Sequence, residues 1–164
     1  MNPVQTFLQL SVHLTGFSET ELLGSGQAQP FLDEITSIAG ERAAGQLLGV
    51  AGRILEQGGD PNQAIQVEIM KDPYLGPLAR NVIVMWYLGQ WDQLPRAWRD
   101  AYGANPSDIT HIVSDAAYRS GLVWVAIGSH PSGAKAPGYA SWAQPPAASP
   151  APPTGPVASS SSRP

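Results

Sequence analysis

The chain has 164 residues, enough for one domain with its own core, and 13% of them are charged, about half the usual share. The net charge is −4, and the nine basic residues are spread singly, which excludes the clustered Lys and Arg of a nucleic-acid binder. There is no cysteine, which excludes disulfides, thiolate metal sites and cysteine nucleophiles.

In chain order, Asn2-Pro3 predicts a helix start, an N-cap followed by proline at the first helical position. Phe7, Leu10 and Leu14 recur on one face, and Gly16 ends the run. Ser18 with Glu21 matches a capping box over a very short helix that stops at Gly24. After the loop GSGQAQ, Pro30 opens a helix with Phe31, Ile35 and Ile38 on one side, closed by Gly40.

From Glu41 the stripe Ala44, Leu47, Leu48, Ala51, Ile54 and Leu55 predicts an amphipathic helix, stopped at Gly58-Gly59. Gly45, Gly49 and Gly52 each weaken it by up to about 1 kcal/mol against alanine, and the expected compensation is close approach of a neighbouring backbone. Asp60-Pro61 and Asp72-Pro73 repeat the cap-and-proline signal, giving two helices, or one broken helix, over 61–71 and 73–88. The second contains VIVMWYL, apolar on all sides, and is expected to be central. That run is far short of the roughly 18 to 20 residues of a membrane span.

Residues 90–113, with Pro95, Gly103 and Pro106 as breakers, read as a long irregular connection around PRAWRDAY, in which ITHIV allows a short strand. Ser114 caps a last helix with Tyr118, Leu122 and Val125 inward, ending at Gly128. The expected fold is all-α, a compact bundle of about five to seven helices over 1–130. An extended Pro/Gly-rich arm follows over 131–144, then a disordered Pro/Ala/Ser tail over 145–164, whose composition cannot offset the entropy of folding.

No catalytic constellation is visible. His13, His111 and His130 fall in no metal-ligand spacing, no serine sits in GxSxG, and the Gly-x-Gly of GSGQAQ lacks the strand and the GK[ST] of a phosphate loop. Asp60 and Asp72 are assigned to caps, and the carboxylates at 19, 21, 33, 34 and 68 to helix first turns or solvated faces. Within the arm, APGYASW strands two aromatics just past the last helix. His130, Pro137, Gly138, Tyr139 and Trp142 are therefore the candidate partner-binding residues, since aromatic anchors on a proline-stiffened segment lose little entropy on docking.

Three passages, FLQLSVHLTGF, VIVMWYLGQW and YRSGLVWVAIGSHPSGAKAPGYASWAQPP, together resemble the small subunit of bacterial membrane-bound FAD-dependent sugar dehydrogenases, the sorbitol, fructose and glucose dehydrogenase complexes. The resemblance rests on the LTG ending of the first helix, the WYLG of the central one and the PG[YF]xxW pattern near the end. It implies a non-catalytic subunit, with no flavin or haem, that binds and helps mature a large GMC-type flavoprotein. FAD is expected in that partner, and a multihaem cytochrome c subunit would take the electrons. The family's small subunit typically brings a twin-arginine export signal. The first residues here show none, so the periplasmic or membrane-associated location that the resemblance implies stands beside a cytoplasmic one. Two other readings are a stand-alone helical protein or homo-oligomer, and a small enzyme using His111 or His130 with a nearby carboxylate.

Overall fold

The computed structural model describes residues 2–103 and 105–131. The chain divides into two units, Met1–Pro131 and Ser132–Pro164, and the second lies outside the described residues.

The first unit is an all-α bundle whose elements begin where local chemistry lets them. Helix α1 (Pro3–Thr15) starts on Asn2, whose side chain accepts the Gln5 N–H at 2.8 Å, and stops at Gly16 in the left-handed conformation. Helix α2 (Glu19–Gly24) carries the full capping box between Ser18 and Glu21. Helix α3 (Ala28–Ala39) begins two residues before Pro30, because proline fits any position of the first turn, where no N–H is needed. Helix α4 (Glu41–Glu56) buries Ala43, Ala44, Leu47, Ala51 and Ile54, while Leu48 and Leu55 stay half-buried at the edge of the stripe.

Asp60 caps α5 (Pro61–Ile65), which widens into a π-helical turn over Gln66–Met70. The Asp72 carboxylate then accepts the N–H groups of Tyr74 and Leu75, both at 2.8 Å, so α6 runs Leu75–Leu88 and starts later than Pro73. A Cβ on Gly76 would stand 2.6 Å from the Met70 carbonyl oxygen, so the fold between the π-turn and α6 requires glycine there.

Helix α6 is the hub of the bundle, packed by α1, α3, α4 and the π-turn. Leu78, Ala79, Val82, Met85 and Trp86 are buried, with the Trp86 ring stacked near Phe7 at 6.4 Å and edge-on to Phe31 at 5.0 Å. Its burial is not complete around the circumference: Ile83, Val84 and Tyr87 are half-buried and Leu88 is exposed. A helix with neighbours on several sides still leaves a strip where none crosses.

Beyond α6 the expected irregular connection is more ordered. Strand β1 (Gln90–Trp91) pairs antiparallel with β2 (His111–Ile112), and PRAWRDAY forms α7 (Arg96–Tyr102). The link is organised by Asp108, a buried carboxylate that accepts Trp91 Nε1–H at 2.9 Å and the Leu94 N–H at 3.0 Å. The last predicted helix is two, α8 (Asp115–Arg119) and α9 (Leu122–Ala126), broken at Ser120-Gly121. That break turns Val125 outward to 67% exposure, against the inward position expected of it, while Leu122 stays buried.

Candidate partner-binding surface

The described parts of the three segments that carry the resemblance lie far apart in sequence and meet at the C-terminal end of α6. The Tyr87 hydroxyl donates to the Thr15 carbonyl at 2.9 Å, and its ring meets Phe17 edge-on at 5.9 Å, which joins the LTGF of α1 to the WYLG of α6. Gly89 takes a left-handed φ of 67°, and a Cβ there would stand 2.4 Å from the Ala117 carbonyl carbon. A Cβ on Gly121 would stand 2.7 Å from the Tyr87 carbonyl oxygen. Tyr118 and Trp124 close the cluster, edge to face at 5.6 Å with Trp124 Nε1–H donating to the Tyr118 carbonyl. Gly89 and Gly121 are thus accounted for by packing of backbone on backbone, whereas Thr15 is met by the Tyr87 side chain and Gly16 serves as the left-handed cap of α1.

Asn81 adds a tie that sequence reasoning missed. Buried inside the apolar stretch, it donates to the Asp92 carbonyl at 2.9 Å and accepts the Asp92 N–H at 2.8 Å, standing in for a strand partner. A polar residue at the head of the apolar run Val82–Leu88, following Arg80, left little signal in the sequence.

Around this end, large apolar side chains face solvent: Leu88, Ile112, Val125 and Ile127 are between 43% and 67% exposed. Val125 and Ile127 stand directly before His130. Of the sequence-predicted partner residues, His130 is exposed after α9, and Pro137, Gly138, Tyr139 and Trp142 lie outside the described residues. The sequence pattern for α9 concealed this surface, because continuous periodicity across Gly121 predicts an inward Val125.

Two hollows open elsewhere. One, of about 640 Å³, runs along the glycine face of α4 with Pro3, Thr6, Leu48 and Arg53. Among the described residues no backbone approaches that face: Gly45 and Gly49 look into open space, and Gly52 would meet only the Thr6 methyl at 3.7 Å. The expected close neighbour is therefore not an element of 2–131. The second, of about 510 Å³, lies between Arg42 and Gln46 of α4 and the tyrosines Tyr74 and Tyr102. Its aromatic wall is fixed by Trp98, stacked on Tyr74 at 5.6 Å and donating Nε1–H to the Tyr74 carbonyl at 2.9 Å.

Several titratable groups are engaged by their neighbours. Glu19 accepts the side-chain amides of Gln5 and Gln9, Glu68 pairs with Arg53, and His13 contacts Asn62. The Ser18 hydroxyl and backbone N–H hold the Glu21 carboxyl below the usual carboxylate range. His111 does stand 2.8 Å from a carboxylate, that of Glu34, as the small-enzyme reading requires. Its second ring nitrogen faces the Ile109 carbonyl oxygen at 2.7 Å, so both ring nitrogens have an oxygen neighbour. Among the described residues no three His, Asp or Glu side chains gather as a metal site, and no helix is long and apolar enough to cross a membrane. Compared with protein-family models, with curated proteins and with solved structures, the chain gives no match.

Proposed function

We propose that this chain is a non-catalytic small subunit that binds, stabilises and helps mature a GMC-type FAD-dependent sugar or polyol dehydrogenase. Flavin chemistry belongs to the partner, and electrons leave through a cytochrome c subunit of the same complex. The reading takes its family from the three ordered motifs. The observation that supports it is the meeting of the first two motifs and of Gly121 at the α6 end, beside which Val125 and Ile127 are exposed; in sequence these precede His130 and the aromatic arm. Apolar side chains left in water next to an aromatic, proline-stiffened segment suit a protein partner, since such anchors dominate binding energy when buried.

The test is co-expression with a GMC-type FAD-dependent sugar dehydrogenase large subunit, followed by pull-down and flavin content of the captured protein. The parent chain should raise the yield of flavin-loaded dehydrogenase. Tyr139→Ala with Trp142→Ala should leave the helical unit folded and weaken capture of the flavoprotein by at least about tenfold, the loss of one or two hot spots. If the double variant captures the flavoprotein as tightly as the parent, or unfolds by itself, the arm is not the clamp. If the parent captures no flavoprotein, the stand-alone reading replaces the subunit reading.

A further inference from the structure

Residues 105–112 cross helix α3, and two side chains tie them there. Asn105 Nδ2–H donates to the Ser37 carbonyl at 3.0 Å, and His111 Nε2 lies 2.8 Å from Glu34 Oε1. His111 Nδ1 is held at the same time, 2.7 Å from the Ile109 carbonyl oxygen. A carbonyl and a carboxylate have no proton to offer, so each of these contacts requires an N–H on the ring. A neutral imidazole has only one. Deprotonation therefore sets a nitrogen lone pair against an oxygen lone pair on one side or the other. Only the imidazolium satisfies both contacts.

We propose that His111 and Glu34 form a protonation-controlled latch, which holds segment 105–112 on α3 when His111 is charged and releases it as the pH rises. The His111 pKa lies above its ordinary value of 6.5, chiefly because the Ile109 carbonyl accepts from the charged ring. Partial burial opposes this, and the Glu34 carboxylate adds to the rise. A raised folded-state pKa means that the latch contributes fully below the unfolded value and is lost as pH climbs through the folded one. Glu34 is the charged side chain in contact with the ring. The other charged groups of the adjoining elements have their own partners or stand on α8. Asp33 accepts from Gln29, Asp92 from Gln90, and Asp108 holds Trp91 and Leu94 with Arg99 at 3.9 Å; Asp115 and Arg119 belong to α8.

What the latch covers can be read from particular amides. The Gln93 N–H donates to Thr110 Oγ1 at 3.0 Å and the Leu94 N–H to Asp108, so both report whether the segment is seated. The inference rests on the helical unit alone and holds whether or not the chain binds a flavoprotein.

The experiment uses the full chain, its His111→Gln and Glu34→Gln variants, and no ligand. Thermal melts of wild type and H111Q at pH values from about 6 to 9 should show a wild-type advantage of about 2 to 4 °C at the acid end that vanishes at the alkaline end. The His111 ring protons, followed by NMR, should titrate above the ordinary histidine value, and E34Q should lower that midpoint. Exchange at Gln93 and Leu94, corrected for intrinsic base catalysis, should accelerate in wild type across the same midpoint. A pH-independent difference between wild type and H111Q, or a His111 midpoint at or below the ordinary value, overturns the latch. Should H111Q fail to fold, exchange at Gln93 in wild type decides the matter, and unchanged corrected exchange across the midpoint also overturns it.

Discussion

Trp86 is one of the largest fully buried side chains of this protein. It is 1% exposed, lies between Phe7 and Phe31, and its indole N–H meets no hydrogen-bond partner among the described residues. Two opposite terms follow from that position. Truncation to alanine removes a large apolar body and leaves a cavity, so Trp86→Ala should lower stability by about 3 to 5 kcal/mol. Phenylalanine keeps a ring between its neighbours and deletes the unpaired donor, so Trp86→Phe should cost under about 2 kcal/mol. Denaturant melts of the two variants check the pair. Equal losses would mean that the indole N–H has a partner after all. His111 belongs to the same scale, because one proton on its ring decides whether two contacts are attractive.

Glycines that look alike in sequence separate once their elements are assembled. Gly45 and Gly49 sit on the exposed side of α4, helical and with nothing within 4 Å of a would-be Cβ. Alanine there removes backbone entropy from the unfolded chain and meets no obstacle, so each of Gly45→Ala and Gly49→Ala should stabilise by up to about 1 kcal/mol. Gly89 is the opposite case. It combines a left-handed φ with backbone 2.4 Å from the added carbon, and Gly89→Ala should destabilise by more than about 2 kcal/mol. Thermal melts of the isolated chain read both signs. If G45A and G49A destabilise the isolated chain, a backbone does occupy that face.

At the scale of the whole molecule, the described residues hold a core in which Phe7, Phe31, Leu47, Ile69, Leu78, Trp86 and Trp91 are nearly or fully withdrawn from water. Residues from Pro145 onward contain almost no core-forming side chain, only Val157. A chain ending at Gln144 should therefore melt within about 1 °C of the full one, because sequence of that composition adds little apolar burial. Calorimetry of the two lengths checks this, and a drop of several degrees would place the tail in a packed structure.

Much of the architecture was legible because it depends on neighbours in sequence. Asn2, Ser18, Asp60 and Asp72 cap within two or three residues, and Gly16 ends α1 by local backbone geometry. Those signals place helix starts and stops, and the density of VIVMWYL identifies the central helix. Other features depended on partners distant in sequence. PRAWRDAY became helical with Trp98 tied to Tyr74, 24 residues earlier, and Asp108 organised residues 14 and 17 positions before it. The break at Gly121, which turns Val125 toward solvent, follows from the closeness of the Tyr87 carbonyl. The candidate surface was legible only as composition, in aromatics and prolines after His130. By itself the sequence determined the all-α class, the main caps and the central helix, since each arises from local hydrogen bonds or apolar density. The tertiary structure decided which glycines are obligatory, which apolar side chains remain in water and which histidine meets a carboxylate, because each is a property of two segments brought together by folding.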